Sequence, residues 1–382
     1  MKPPLDLQAV LTNPSIRVVV TCGSGGVGKT TTAAAMALYA ADQGRKVAVL
    51  TIDPARRLAQ SLGLGELDNV PRRVDFHGVA ALGTDPGTTG DAEPRGELWA
   101  MMLDTSRTFD EMVSSNATPE HAQKILANPF YNTISTSFSG TAEYMAMQKL
   151  SQLAATDEYD LIVVDTPPSR SALDFLDAPQ RLSSFLDGRM IRLLGSPSRG
   201  VMRIVGAGFQ LFTKAVTSVI GGQMLADAAT FIQLIEGMFG GFRERAQATY
   251  DLLRSSHAAF VVVAVPEPDA LREASYFADR LRSERMPLAG LVLNRTHPPL
   301  ADLTIAATQA AIADITGSSP LAAAALGVHA DRLTVRAKEL RMRARLDRAH
   351  PDLAVVEVPA LPFDAHDVVA LRTIAEQLTK SV

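Results

Sequence analysis

Six short apolar runs punctuate the chain: Arg17–Thr21, Lys46–Thr51, Leu161–Asp165, Ala259–Val265, Ala289–Asn294 and Ala354–Pro359. Each is nearly continuous in Val, Ile, Leu and Ala rather than alternating with polar residues, and each is followed by helical spacing. Strands of this kind are covered on both faces. The pattern predicts an α/β fold, a mostly parallel sheet with helices on each side. Two stretches break the alternation. Residues 96–153 read as helical and follow a polar, glycine- and proline-rich segment, and residues 171–253 hold no strand pattern. Both are expected as helical insertions, forming a helical subdomain within a single domain over residues 1–382. Ligands of such sheets bind beyond the carboxyl ends of the strands, so the residues that close each run carry the chemical interest.

The first run leads into Gly23, Ser24, Gly25, Gly26, Val27, Gly28, Lys29 and Thr30, with an apolar helix expected from about Thr31. Glycines at this spacing let main-chain N–H groups converge on phosphate oxygens. A lysine reaches the β- and γ-phosphates, a threonine hydroxyl ligates Mg²⁺, and the helix N-terminus adds its dipole. The motif is therefore expected to be the phosphate loop of a P-loop NTPase binding ATP or ADP with Mg²⁺. The second run is followed closely by Asp53, which fits two roles: orienting or activating the attacking water, or capping the helix expected at Pro54. The third run ends at Asp165, an apolar strand closed by a carboxylate, as expected for an Mg²⁺ ligand acting directly or through water.

Charged residues make up 20% of the 382-residue chain, hydrophobic residues 47%, and the formal net charge is −4, a balance that calls for no nucleic-acid partner. The N-terminal stretch has no apolar core of signal-peptide length, and the apolar stretch 201–224 is interrupted by Arg203, Gln210 and Lys214. No transmembrane segment and a cytoplasmic location are the expectation. Cys22 is the sole cysteine. It is read as a small buried hydrophobe, and neither a zinc site nor an iron–sulfur cluster is expected.

Taken together, GSGGVGKTT, DPARRLAQSLG and DTPPSRSALDFLDAP resemble the phosphate loop and two switches of the arsenite-pump and guided-entry-of-tail-anchored-proteins ATPase family. SGTAE, LVLNR and VPALPFD follow in the family's order, so the resemblance runs through nearly the whole chain, and within the family it is to one member of a mycobacterial pair. The resemblance implies ATP hydrolysis by a dimer, with Lys29 and Asp53 catalytic, Thr30 and Asp165 at the Mg²⁺, Asn294 on the adenine edge and Pro359 at the base pocket. An ordinary strand-end turn is the other reading of Asn294. Ser24 departs from the family, which carries there a lysine that reaches the partner subunit's phosphates. Either a homodimer that hydrolyses slowly or a heterodimer with a lysine-bearing paralogue follows, unless Arg56 or Arg57 substitutes. Arg170 and Ser171 also depart, from a Gly-His pair.

Helical stripes including Met202, Leu211, Phe212, Met224, Phe231, Ile235 and Met238 occupy the region in which the family builds a groove for a hydrophobic client protein. Such stripes are equally a packed core. The basic stretch Arg332–Arg348 reads as a solvated helix face. Competing readings are a nucleotide-binding regulatory subunit with little turnover, a DNA-partition or membrane-patterning ATPase, and a small-molecule kinase.

Overall fold

The computed structural model describes residues 4–53, 55–76, 96–129, 131, 141–167, 227, 230–231, 234 and 239–380. The chain divides into two compact units: Met1–Met102 with Thr156–Ala172 and Leu252–Val382, and Leu103–Ala155 with Leu173–Asp251.

The first unit is built on one eight-stranded sheet in the order β3-β4-β2-β5-β1-β6-β7-β8. Its strands are β1 (Val18–Cys22), β2 (Lys46–Thr51), β3 (Arg72–Arg73), β4 (Glu97–Met102), β5 (Leu161–Asp165), β6 (Ala258–Ala264), β7 (Leu288–Thr296) and β8 (Val355–Pro359). All neighbours pair in parallel except β3 with β4. The six expected strands are all present. In β1, β5 and β6 every residue is buried, as runs without polar alternation require.

One face of the sheet is covered by α2 (Lys29–Asp42), flanked by α1 (Leu7–Thr12) and by α11 (Val368–Thr379). The alanines and Leu38 of α2 are fully enclosed, because small residues let the helix lie close to both the sheet and α11. Arg372 of α11 fixes that packing, donating from Nε and Nη2 to both carboxylate oxygens of Asp42 at 2.9 and 2.8 Å. α8 (Pro268–Ser283) packs on β6 and β7, and α9 (Ile305–Ile315) and α10 (Pro320–Ala349) pack on each other.

Two expectations are corrected here. Residues 97–102 are a strand, not the start of a helical stretch: Leu98, Trp99, Ala100 and Met101 lack the β-branching that marks the other strands, yet they pair along β2 from Lys46 to Thr51. The basic stretch of α10 is also less solvated than its composition suggests. Arg336 and Arg343 both reach Glu357 of β8, and Arg332 donates to the Pro298 carbonyl at 2.7 Å. Glu339, nearly fully buried, accepts from the main chain and ring of His297 and from Arg336. These contacts tie α10 to the ends of β7 and β8, leaving Lys338, Arg341, Arg345 and Arg348 outside.

The second unit is helical among its described residues. α4 (Thr105–Asn116) packs on α5 (Pro119–Leu126) and on α6 (Thr141–Ala155), and most of α7 (Phe239–Arg254) also belongs to it. Asp104 caps α4 by accepting from the Arg107 N–H at 3.0 Å. No helix among the described residues is long and apolar enough to cross a membrane.

Candidate functional site: a phosphate loop at the carboxyl edge of the sheet

The central strand β1 ends at Cys22, and the chain turns through Gly23–Gly28 into α2. The turn depends on glycine at two places. Gly23 has φ +153 and lies so close to β6 that a Cβ there would stand 2.1 Å from the Val263 carbonyl oxygen. Gly28 has φ +96, and a Cβ would stand 2.4 Å from the Asn294 amide. The first obstacle is backbone and cannot rotate away. Gly23→Ala is therefore expected to destabilise the protein by about 3 kcal/mol through overpacking. Gly26→Ala, with φ +77 and nothing within 4 Å, should lose only about 1 kcal/mol of left-handed strain. Urea midpoints for the two variants check this, and equal losses would contradict it.

Lys29 opens α2 with its side chain folded back over the loop, donating from Nζ to the Ser24 carbonyl at 2.8 Å. It is 6% exposed. Burial holds its ammonium below the ordinary lysine value, and Asp165 works in the opposite direction. The next residue, Thr30, donates from Oγ1 to Asp165 Oδ2 at 2.7 Å, and Thr51 at the end of β2 donates to the same oxygen at 3.0 Å. Thr51 Oγ1 in turn accepts from the Asp53 N–H at 3.2 Å. One carboxylate thus joins the phosphate loop, β5 and the end of β2.

Asp165 is wholly buried, and its Oδ1 has no partner among the described residues. Burial is the main influence on its acidity; the Thr30 and Thr51 hydroxyls and Lys29 oppose it, and the result is a pKa pushed up to about 6. A buried carboxylate with one oxygen shared by two hydroxyls and the other unmatched fits an outer ligand of a hydrated Mg²⁺, beside the hydroxyl of Thr30. No group of three or more His, Cys, Asp or Glu placed to hold a metal exists among the described residues.

The raised pKa has a consequence for stability. A folded-state value near 6 against an ordinary 3.8 means the ligand-free fold favours the protonated acid. That contribution is complete below about 3.8 and lost as pH rises through about 6. Asp165→Asn, which keeps an acceptor for both threonines, should then stabilise ligand-free protein by up to about 3 kcal/mol at pH 7.5. The gain should shrink as pH falls from 6 towards 4. Denaturant titrations at several pH values measure it; an unchanged or lowered midpoint at pH 7.5 counts against it.

Asp53 is half-buried, and its Oδ1 accepts from the Ala55 N–H at 3.0 Å. It is not the cap of the next helix. α3 (Arg57–Ser61) begins later, with Arg56 at its N-cap and no side-chain cap bond. Asn294, at the end of β7, donates from Nδ2 to the Val27 carbonyl at 2.9 Å, and its Oδ1 accepts from the Arg295 N–H. It braces the phosphate loop from the side of β7. Pro359 closes β8 beside Thr296 of β7, so Asn294 and Pro359 sit at the ends of adjacent strands. Cys22 is buried beneath the loop, with burial pushing its thiol up to about 12.

Of the expected groove residues, only Phe231 is described. It is 1% exposed, with its ring centroid 6.3 Å from that of Tyr131, and so belongs to the core of the second unit. Met202, Leu211, Phe212, Met224, Ile235 and Met238 lie outside the described residues, as do Arg170 and Ser171. Thr51 is the site residue that the sequence reading missed. Closing a β-branched run, it passes for an ordinary strand residue, and only its pairing opposite Asp165 shows its part.

Comparison with known proteins agrees with this geometry. The family model described as anion-transporting ATPase matches residues 16–305, more than half of the chain. A protein named ATPase GET3 from Malassezia globosa is 26% identical over 292 residues, covering 76% of this chain and 76% of that protein. One named ATPase GET3B from Arabidopsis thaliana is 27% identical over 285 residues, covering 72% of this chain and 63% of that protein. An uncharacterized Streptomyces coelicolor protein is 30% identical over 193 residues, 49% of this chain and 42% of its own.

Proposed function

The chain belongs to the anion-transporting ATPase family and is an ATPase, and from that premise we propose that it works as a dimeric, nucleotide-driven switch that takes up a hydrophobic partner protein. The observation that carries the reading is the single carboxylate of Asp165 bonded at once to Thr30 of the phosphate loop and Thr51 beside Asp53. A change at the γ-phosphate is transmitted through these bonds to the segments that follow β2 and β5. Order–disorder changes of that kind are how nucleotide switches report their state.

In this reading main-chain amides of Gly23–Thr31 and the Lys29 ammonium hold the phosphates, and Thr30 and Asp165 hold Mg²⁺. Held there, Mg²⁺ would supply positive charge to offset that developing on the transferred phosphoryl group. Asp53 orients a water that adds to the γ-phosphorus. The bond from that phosphorus to the β–γ bridging oxygen breaks, ADP leaves with the electron pair, and the water's proton passes by way of Asp53 to solvent. Asn294 and Pro359 flank the base. The second subunit is another copy or a paralogue with lysine at the position of Ser24, and the protein acts in the cytoplasm.

Sedimentation velocity and binding of an apolar helical peptide, each measured without nucleotide, with Mg·ADP and with a non-hydrolysable Mg·ATP analogue, test the switch. A shift of about tenfold or more in peptide affinity between states, with a change in association, is the expected result. Equal peptide binding in all three states would overturn the proposal.

A further inference from the structure

The first unit carries a second concavity, on elements that take no part in the phosphate loop, where α8 packs on α10. Met342, Arg345, Leu346 and Ala349 fall three and four residues apart, so they share one face of α10. Across from them stand Leu271, Arg272 and Ser275 of α8, and the two faces border a cleft of about 310 Å³. That is the small end of the range for small-ligand sites, about 300–1,000 Å³. Leu271 and Leu346 are buried and give the cleft an apolar floor. Among the described residues no carboxylate lines it. Arg272 is paired with Asp269, whereas Arg345 is exposed and has no hydrogen-bond or ion-pair partner among the described residues.

Behind Ser275 lies His350, whose side chain is 2% exposed. Ser275, His350 and Asp279 invite comparison with a nucleophilic triad, and Arg282 rules that out. Its Nη1 stands 3.0 Å from His350 Nδ1. A guanidinium only donates, so Nδ1 accepts and carries no proton. Asp279 Oδ1, at 3.7 Å from Nδ1, is beyond hydrogen-bond reach. The ring proton is therefore on Nε2, which donates to Ser275 Oγ at 2.5 Å. The serine cannot pass its own proton to the ring. Its O–H is left to donate elsewhere, it has no acceptor among the described residues, and the residue lines the cleft.

We infer that this cleft binds a small monocarboxylate with an unbranched apolar chain. Arg345 supplies the charge, and the Ser275 hydroxyl, held by His350, donates to a carboxylate oxygen. The chain lies along Leu271, Met342 and Leu346, where the flexible thioether adapts to it. One unpaired cation and one hydroxyl match a single negative charge, and an inorganic anion would leave the apolar floor uncovered. The site is independent of the ATPase reading.

Octanoate is the probe, titrated into the full chain by calorimetry or ligand-observed NMR beside octanol and inorganic phosphate. Octanoate should bind saturably, octanol about tenfold more weakly or worse, and phosphate should not displace it. Arg345→Glu should weaken octanoate about tenfold or more by replacing attraction with repulsion. Ser275→Ala should weaken it about tenfold, the scale of one hydrogen bond to a charged group. Ala349→Phe, which fills the cleft from an exposed position, should abolish binding. Lys338→Glu makes the same charge change about two turns away and should stay within about twofold. Circular dichroism checks that each variant is folded; if Ser275→Ala is not, the two variants at exposed positions decide. The assignment is overturned if wild type shows no saturable octanoate binding, or if octanol binds as well or phosphate competes. It is overturned equally if Arg345→Glu has no more effect than Lys338→Glu, or if Ala349→Phe still binds.

Discussion

Lys29→Ala is expected to weaken Mg·ATP binding by about 10²–10³-fold and to remove measurable hydrolysis. The size follows from where the ammonium sits. It is nearly enclosed, so its interaction with phosphate oxygens is weakly screened, and a hydrogen bond to a charged group at such a place is worth about 1.5–3 kcal/mol before longer-range attraction is added. Nζ donates to the Ser24 carbonyl. That is a neutral acceptor, readily exchanged for a phosphate oxygen. Alanine leaves the Asp165 carboxylate without its nearest cationic support, so the incoming triphosphate meets an uncompensated negative charge as well as a missing donor. Fluorescence or calorimetric titration with Mg·ADP and Mg·ATPγS reads the affinity loss, and phosphate release reads turnover. Binding within threefold of wild type would show that the phosphates lie elsewhere. The ATPγS loss should exceed the ADP loss, since lysine at this position spans both terminal phosphates.

What the sequence made legible was what continuous apolar runs and glycine spacing encode. The six strands and the Gly23–Thr31 loop could be read because a doubly covered strand has no room for polar alternation, and because a loop bent around phosphate needs glycines where φ is positive. β4 was hidden, since Leu98, Trp99, Ala100 and Met101 suit a helix as well as a strand and only pairing with β2 decides between them. Thr51 was hidden for a different reason. Which hydroxyl shares a carboxylate depends on strand register rather than on residue type. The basic face of α10 looked solvated in one dimension because Glu357, which binds two of its arginines, lies on a different element. The second unit is assembled from two separate stretches of chain, with no linker composition to mark where either begins.

Asp53→Asn is expected to lower kcat by about 10²–10³-fold, within the range for loss of a general base, while leaving Mg·ADP affinity within threefold. The two carboxylate oxygens have separate tasks. Oδ1 holds the turn by accepting from the Ala55 N–H, and the Asp53 N–H holds the residue to Thr51. Asparagine keeps an Oδ1 acceptor and the same main-chain bond, so the turn and the position of α3 are retained. The second oxygen becomes an NH₂ group, which donates where the attacking water needs an acceptor for its proton. The variant also removes a negative charge that raises the pKa of both Lys29 and Asp165. Loss of that charge should favour triphosphate binding slightly, so ATP affinity is expected to hold or improve as turnover falls. That opposition separates a lost base from a damaged site, which would lose both together. Single-turnover phosphate release beside nucleotide titration measures the pair. Unchanged turnover in Asp53→Asn would assign water activation to another group, and parallel losses in binding and rate would make Asp53 a support of the turn alone.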